Sequence, residues 1–257
     1  MKFSFPILCL LILPASAHHG QDFFLNLDAR VPAALRTTAF MSSTWNDDEG
    51  WSIEPGILTG LGAGFAAGIT ASFSDTPGND ASADAVTPQL QWSLPLGDSP
   101  FYMGVSVAYH FADEESGDGH NHTHRAPRFN PDAPPVATIT DLAPSIHSHG
   151  FDALQSRIIM EWEMSTRTRW IANVVYLDAA GSDPAWGYSV GLRQQIAGPW
   201  AIGIEALGDF NRHLYQEVAA GVIYSPTHHL GIRLGCSQEL GNSDAKSTLL
   251  WGLTYRF

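Results

Sequence analysis

Beyond its first residues the chain has no apolar run approaching the roughly 18 residues that a transmembrane helix needs, although 44% of it is apolar. Spanning helices are therefore excluded, and a membrane location, if there is one, must use strands. Cysteine is nearly absent, with Cys9 and Cys236 alone. Positive charge is scarce too: 13 Lys plus Arg stand against 26 Asp plus Glu, for a net charge of −13. An acidic chain of this kind is not a nucleic-acid binder, because it offers no basic stripe to the phosphate backbone.

What is present begins with a leader. Lys2 supplies a positive charge, Phe3 to Leu13 an apolar stretch too short to span, and Ala15-Ser16-Ala17 a small-residue cleavage site, the order of a secretory signal peptide. Residues 1–17 are expected to be removed, leaving His18 first and taking the net charge from −13 to −14 as Lys2 is lost. Cys9 leaves as well, so no intramolecular disulfide can form. Cys236 lies on the apolar face of a strand and is expected to be a small buried hydrophobe.

The last ten residues are the most informative. Leu249, Trp251, Leu253, Tyr255 and Phe257 fall on one face of a period-two strand, and Thr248, Gly252, Thr254 and Arg256 on the other, with Leu250 the exception. This stretch resembles the C-terminal strand of Gram-negative outer-membrane β-barrels, whose terminal aromatic is read by the barrel-assembly machinery. The resemblance implies a cell outer-membrane location among outer-membrane lipid and lipopolysaccharide. Only helices and closed barrels satisfy every backbone polar group in lipid, and without spanning helices the fold class is all-β, a closed antiparallel transmembrane β-barrel.

Twelve strands are expected, over 36–46, 51–60, 64–75, 85–96, 101–112, 151–165, 167–179, 185–197, 200–210, 214–225, 229–239 and 248–257. The first, second and seventh are ambiguous, which leaves the count open by two. Alternate connections are short, such as Leu61-Gly62-Ala63, Ser165-Thr166 and Gly198-Pro199, while most others are longer and polar. Asn211 to His213 is a brief exception. Short periplasmic turns and long outer loops are the bacterial barrel pattern. The 8 Trp mostly lie near strand ends, where an interfacial girdle would sit. Residues 18–35 precede the first strand as a segment that either stays periplasmic or enters the lumen, and 36–257 form the barrel.

Opposite the apolar faces lie Gln89, Gln91, His110, Arg157, Glu161, Glu163, Arg193, Gln195, Glu205, Arg233 and Arg256. Of these, Arg157, Glu161, Glu163, Arg193, Glu205, Arg233 and Arg256 form a lumen lining of both signs, which acts either as a constriction selecting small polar solutes or as a charge network bracing a closed barrel. The outer loop 113–150 carries His120, His122, His124, His147 and His149 among carboxylates. Such histidines are candidate ligands for Zn, Cu or Ni, although their spacing is not that of a closed structural zinc site and the barrel requires no cofactor.

No residue is assigned a catalytic role. A lipid hydrolase would need a serine and a histidine in contact, and Ser106 and His110, four positions apart on one strand face, are separated by about 13 Å. The size, the His18-His19-Gly20 start and the C-terminal strand resemble the transporter-like barrels grouped with phenol-degradation MetA-pathway proteins, which implies passage of small, often hydrophobic, molecules. The expected function is an outer-membrane channel or uptake protein for small-molecule solutes, with a link to transition-metal handling through the His-rich loop. The alternative is a non-conducting structural or interaction barrel, and a less favoured one is an outer-membrane lipid hydrolase using His213 with Ser189 or Ser148.

Overall fold

Apolar and polar side chains alternate through stretches of about ten residues, punctuated by Gly, Pro and Asn, so each stretch can bury one face only by pairing as a strand. The computed structural model describes residues 22–46, 50–75, 82–112, 152–179, 184–210, 216–240 and 247–257. Its strands are β1 (Thr37–Asn46), β2 (Gly50–Gly62), β3 (Phe65–Asp75), β4 (Ser82–Pro95), β5 (Phe101–Ala112), β6 (Ala153–Ser165), β7 (Thr168–Ala179), β8 (Ala185–Ala197), β9 (Trp200–Asp209), β10 (Gln216–Tyr224), β11 (Leu230–Leu240) and β12 (Ser247–Arg256). Each pairs antiparallel with the next in sequence, and β1 pairs with β12, setting Thr38 opposite Arg256 and Trp45 opposite Leu249. The sheet is a closed barrel of 12 strands, as the sequence led us to expect.

β1 begins and β12 ends at one rim, where the Phe257 amide donates to the Thr37 carbonyl. There the connections are short, and the β2–β3 turn shows how: Gly62, Ala63 and Gly64 all take positive φ, at 98°, 51° and 80°, which glycine adopts without steric penalty. The connection expected to be brief at Asn211 to His213 is longer, because β9 ends at Asp209 and β10 begins at Gln216. The expected leader, His18 and His19, and His120, His122, His124, His147 and His149 lie outside the described residues.

The exterior is apolar. Ile57, Ile69, Leu90, Val105, Ile158, Ile204 and Leu234 point outward, each at least 40% exposed. Aromatic pairs bracket this band. Near the short-turn rim Phe65 stacks on Trp92, Phe101 on Trp162, and Trp200 leans on Tyr224. At the far rim Tyr109 meets Phe111, Tyr176 meets Trp186, and Tyr188 meets Phe210. An apolar belt between two girdles is the outside of a membrane-spanning barrel.

Cys236 belongs to this exterior. It is exposed rather than buried within the protein, and faces outward beside its register partner Leu249. The expectation placed it on the correct face but wrongly assumed a protein interior behind that face. Because Ile204 sits mid-strand in the apolar belt, Ile204→Arg should cost about 2 to 4 kcal/mol, and Leu61→Arg at the rim under about 1 kcal/mol. Urea unfolding from lipid vesicles measures both.

Candidate functional site in the barrel lumen

A closed sheet of this size must fill its inside or leave it open, and here the N-terminal segment does the filling. Every residue from Asp22 to Val31 is buried, none more than 8% exposed. From the short-turn rim, where the Leu35 amide donates to Gly60 and the Arg36 amide to Ala33, the chain runs back inside the barrel. Leu35 marks the corner, with φ 63° and 90% of its surface exposed. The segment has neither helix nor strand, and closes on itself as the Asp22 amide donates to Asp28 Oδ2 at 2.7 Å.

Its apolar side chains sit where the wall recedes. Phe24 lies over three inward glycines, Gly203, Gly221 and Gly235, at which a Cβ would come within 3.6, 2.5 and 3.1 Å of its ring. Phe24 and Leu25 pack with Val175, Leu177, Ile223 and Leu250. Phe23 and Leu27 pack with Ile159 and Ile171, and Val31 with Phe40 and Leu58. Leu250, out of place on its strand's wet face, thus meets the loop. At Gly203 a Cβ alone makes only ordinary contacts, so Gly203→Leu should evict Phe24 through its larger side chain without straining the sheet. Trypsin would then cut after Arg30, which is 2% exposed in the parent, while the barrel keeps its heat-modifiable electrophoretic mobility.

The polar contacts are denser still. The Glu205 carboxylate accepts the amides of Phe24, Leu25 and Asn26 at 2.6, 2.7 and 3.0 Å, and Asn26 Nδ2 at 2.9 Å. Asn26 Oδ1 accepts from Asn173 at 2.8 Å and Ser189 at 2.7 Å. Arg169 reaches Asp22 at 2.6 Å, Asp28 at 2.8 Å and Glu161 at 2.9 Å. Arg30 bridges Glu161 at 2.9 Å and Glu163 at 2.5 Å. Arg256 pairs with Asp22 at 2.6 Å, Arg233 donates to the Phe23 carbonyl, and Gln91 donates to that of Asp28 at 2.7 Å. Buried charge at this density persists only because each group is met by an opposite charge or a hydrogen bond.

Six of the seven residues expected to line the lumen thus gather around the loop: Glu161, Glu163, Glu205, Arg193, Arg233 and Arg256. Arg193 is the most distant ion partner, 3.9 Å from Asp22. Arg157 is the seventh. It is buried, and its Nε donates to Gln155 at 3.0 Å. His110 shares the inward face of β5 with Ser106 and contacts Thr87 at 2.9 Å. The sequence reading missed Arg169, which ties two loop carboxylates to Glu161, and with it Asp22, Asn26, Asp28, Arg30 and Asn173. Among the described residues no cluster of three His, Cys, Asp or Glu is placed to hold a metal ion.

No protein-family description matches the chain, and no curated protein matches it. Solved structures do resemble it. The COG4313 outer membrane channel from Pseudomonas putida F1 superposes with TM-score 0.59 at 8% identity, covering 93% of this chain and 99% of that one. The KdgM porin gives 0.58 at 6% identity, with coverages of 86% and 99%. The NanC porin gives 0.55 at 10% identity, with 84% and 98%. At such identities the likeness establishes a shared fold, that of an outer-membrane β-barrel.

Proposed function

We propose that the protein is an outer-membrane channel for small solutes whose lumen is closed, in the state described, by the loop Asp22–Val31. One observation carries this reading: the wall does not fill its own interior. Where the loop lies, the barrel presents glycine at positions 104, 191, 203, 221 and 235, and a Cβ at any of them would come within 4 Å of the loop. A barrel built only for rigidity would close that space with side chains of the wall itself. Here a terminal segment, joined to β1 at the single corner of Leu35, occupies it instead. The loop is held by ion pairs and hydrogen bonds that water and ions can replace, whereas the strands are held by a closed ladder. The loop can therefore leave without the barrel opening. The resemblance in fold to porins and channels supports the same reading.

Planar bilayer recording of the full chain tests it. Reproducible conductance steps are expected, interrupted by long closures. Silence from protein that is folded by its heat-modifiable mobility would instead favour a structural barrel.

A further inference from the structure

Resting on that reading, we infer that Arg169, Arg193 and Arg256 form a binding site for small organic carboxylates, and that Asp22 occupies it as a competitor supplied by the chain itself. Asp22 Oδ2 lies 2.6 Å from Arg169 and 3.9 Å from Arg193, and Oδ1 lies 2.6 Å from Arg256. Three guanidinium groups, from the register partners Arg169 of β7 and Arg193 of β8 and from Arg256 of β12, thus converge on one carboxylate. A pair of charge-assisted contacts, one on each oxygen, is how proteins recognise a carboxylate.

Arg169 and Arg256 also have contacts to the wall itself. Arg169 is anchored by Glu161 at 2.9 Å, and the Arg256 guanidinium also donates to the His228 carbonyl at 3.3 Å. The Arg233 guanidinium lies against Gly252, close beside the cluster. When the loop leaves, Asp22, Asp28 and Arg30 go together. The wall around the vacated space then carries Arg169, Arg193, Arg233 and Arg256 against Glu161, Glu163 and Glu205, four positive groups to three negative. The loop removes two carboxylates and one guanidinium, so its departure leaves that excess directed at the place Asp22 held.

The consequence is a coupling. A solute carboxylate and Asp22 cannot both sit between Arg169 and Arg256, so binding of the solute favours the displaced loop, and a bound loop weakens the solute's apparent affinity by the fraction of time the site is free. Nothing else need link solute arrival to opening. The site asks for a carboxylate and sets no requirement on the rest of the molecule beyond a size that passes the barrel.

The test uses sodium glucuronate as the probe and glucose as its uncharged counterpart, with isothermal titration of the full chain in detergent at constant ionic strength. Asp22→Asn, which keeps the shape and removes the competing charge, is expected to bind glucuronate about tenfold more tightly than the parent. Adding Arg193→Gln and Arg256→Gln in that background should lower the affinity by a factor of ten or more, and glucose should give no heat in any of the proteins. Equal binding by parent and Asp22→Asn, or glucuronate heats that survive loss of both arginines, would overturn the site. Because titration does not depend on conductance, a folded protein that binds glucuronate but never conducts would keep the site and reject the channel. One that conducts but binds no glucuronate would do the reverse.

Discussion

Glu205→Ala should convert a channel that is mostly shut into one that is mostly open. The Glu205 carboxylate accepts three consecutive loop amides and the Asn26 side chain. Without it, three buried N–H groups have no acceptor, and each such group costs about 1 to 3 kcal/mol. The loop avoids that cost by moving into water, where the amides are solvated. A shift of about 3 kcal/mol corresponds to a change on the order of 100-fold in the ratio of docked to free loop. The strands are untouched, since Glu205 belongs to a β9 that pairs along its length with β8 and β10. In planar bilayers the open fraction should rise by that order, with the mobility of the folded barrel unchanged. Glu205→Gln, which keeps one acceptor oxygen, should fall between parent and alanine variant.

Arg169→Met should release the loop through a different contact. Arg169 faces Asp22, Asp28 and Glu161 inside the barrel, and removing one partner of a buried ion pair costs about 3 to 5 kcal/mol, because the remaining charges are left without compensation. Asp22 and Asp28 regain water by leaving with the loop, while Glu161 stays on the wall. Hydrogen exchange of the Phe23 to Arg30 amides reads this directly. These amides should exchange faster by about 100-fold or more, whereas the strand amides of β6 to β9 should keep their protection. Combining Arg169→Met with Glu205→Ala should add little, since a loop already free cannot be freed again. Full additivity would mean that the two residues do not hold one common element.

How much of this was legible in the sequence varies with what each residue touches. Strands such as β5 and β8, which meet the loop through small or polar inner residues such as Gly104, Ser189 and Gly191, show clean alternation and were placed within a few residues. The three ambiguous strands carry apolar residues on the inner face, where they meet the loop. Phe40 of β1 and Leu58 of β2 pack on Val31, while Ile171, Val175 and Leu177 of β7 pack against the loop's Phe23, Phe24 and neighbours. Apolar residues on both faces blurred the period-two signal there and hid Arg169, which shares the inner face with Ile171 and Asn173. The register of β7 would have exposed it: Trp170, Ala172 and Val174 alternate with Arg169, Ile171 and Asn173. Leu250 carried the same information as a single misplaced residue.

The loop itself was only half legible. A segment ahead of the first strand was evident, and Leu25, Leu27, Ala29 and Val31 even alternate with Asn26, Asp28 and Arg30, yet no strand forms there. Its conformation is dictated by tertiary partners far along the chain, such as Glu205 and Arg256, and no local pattern could supply them.

The central claim is that this loop closes the lumen and that its displacement opens it. A reversible tether tests this most directly. A Cβ at Gly104 would lie 3.3 Å from the Ala29 Cα, within reach of a disulfide, so Ala29→Cys with Gly104→Cys can pin the loop to β5, with Cys236→Ser removing the outward thiol. Single-channel recording before and after reduction gives the result. Oxidised protein should be silent, and dithiothreitol should restore conductance steps in the same membrane, with no effect on the parent. Equal conductance of the oxidised and reduced forms, with the disulfide verified by mass spectrometry, would contradict the claim.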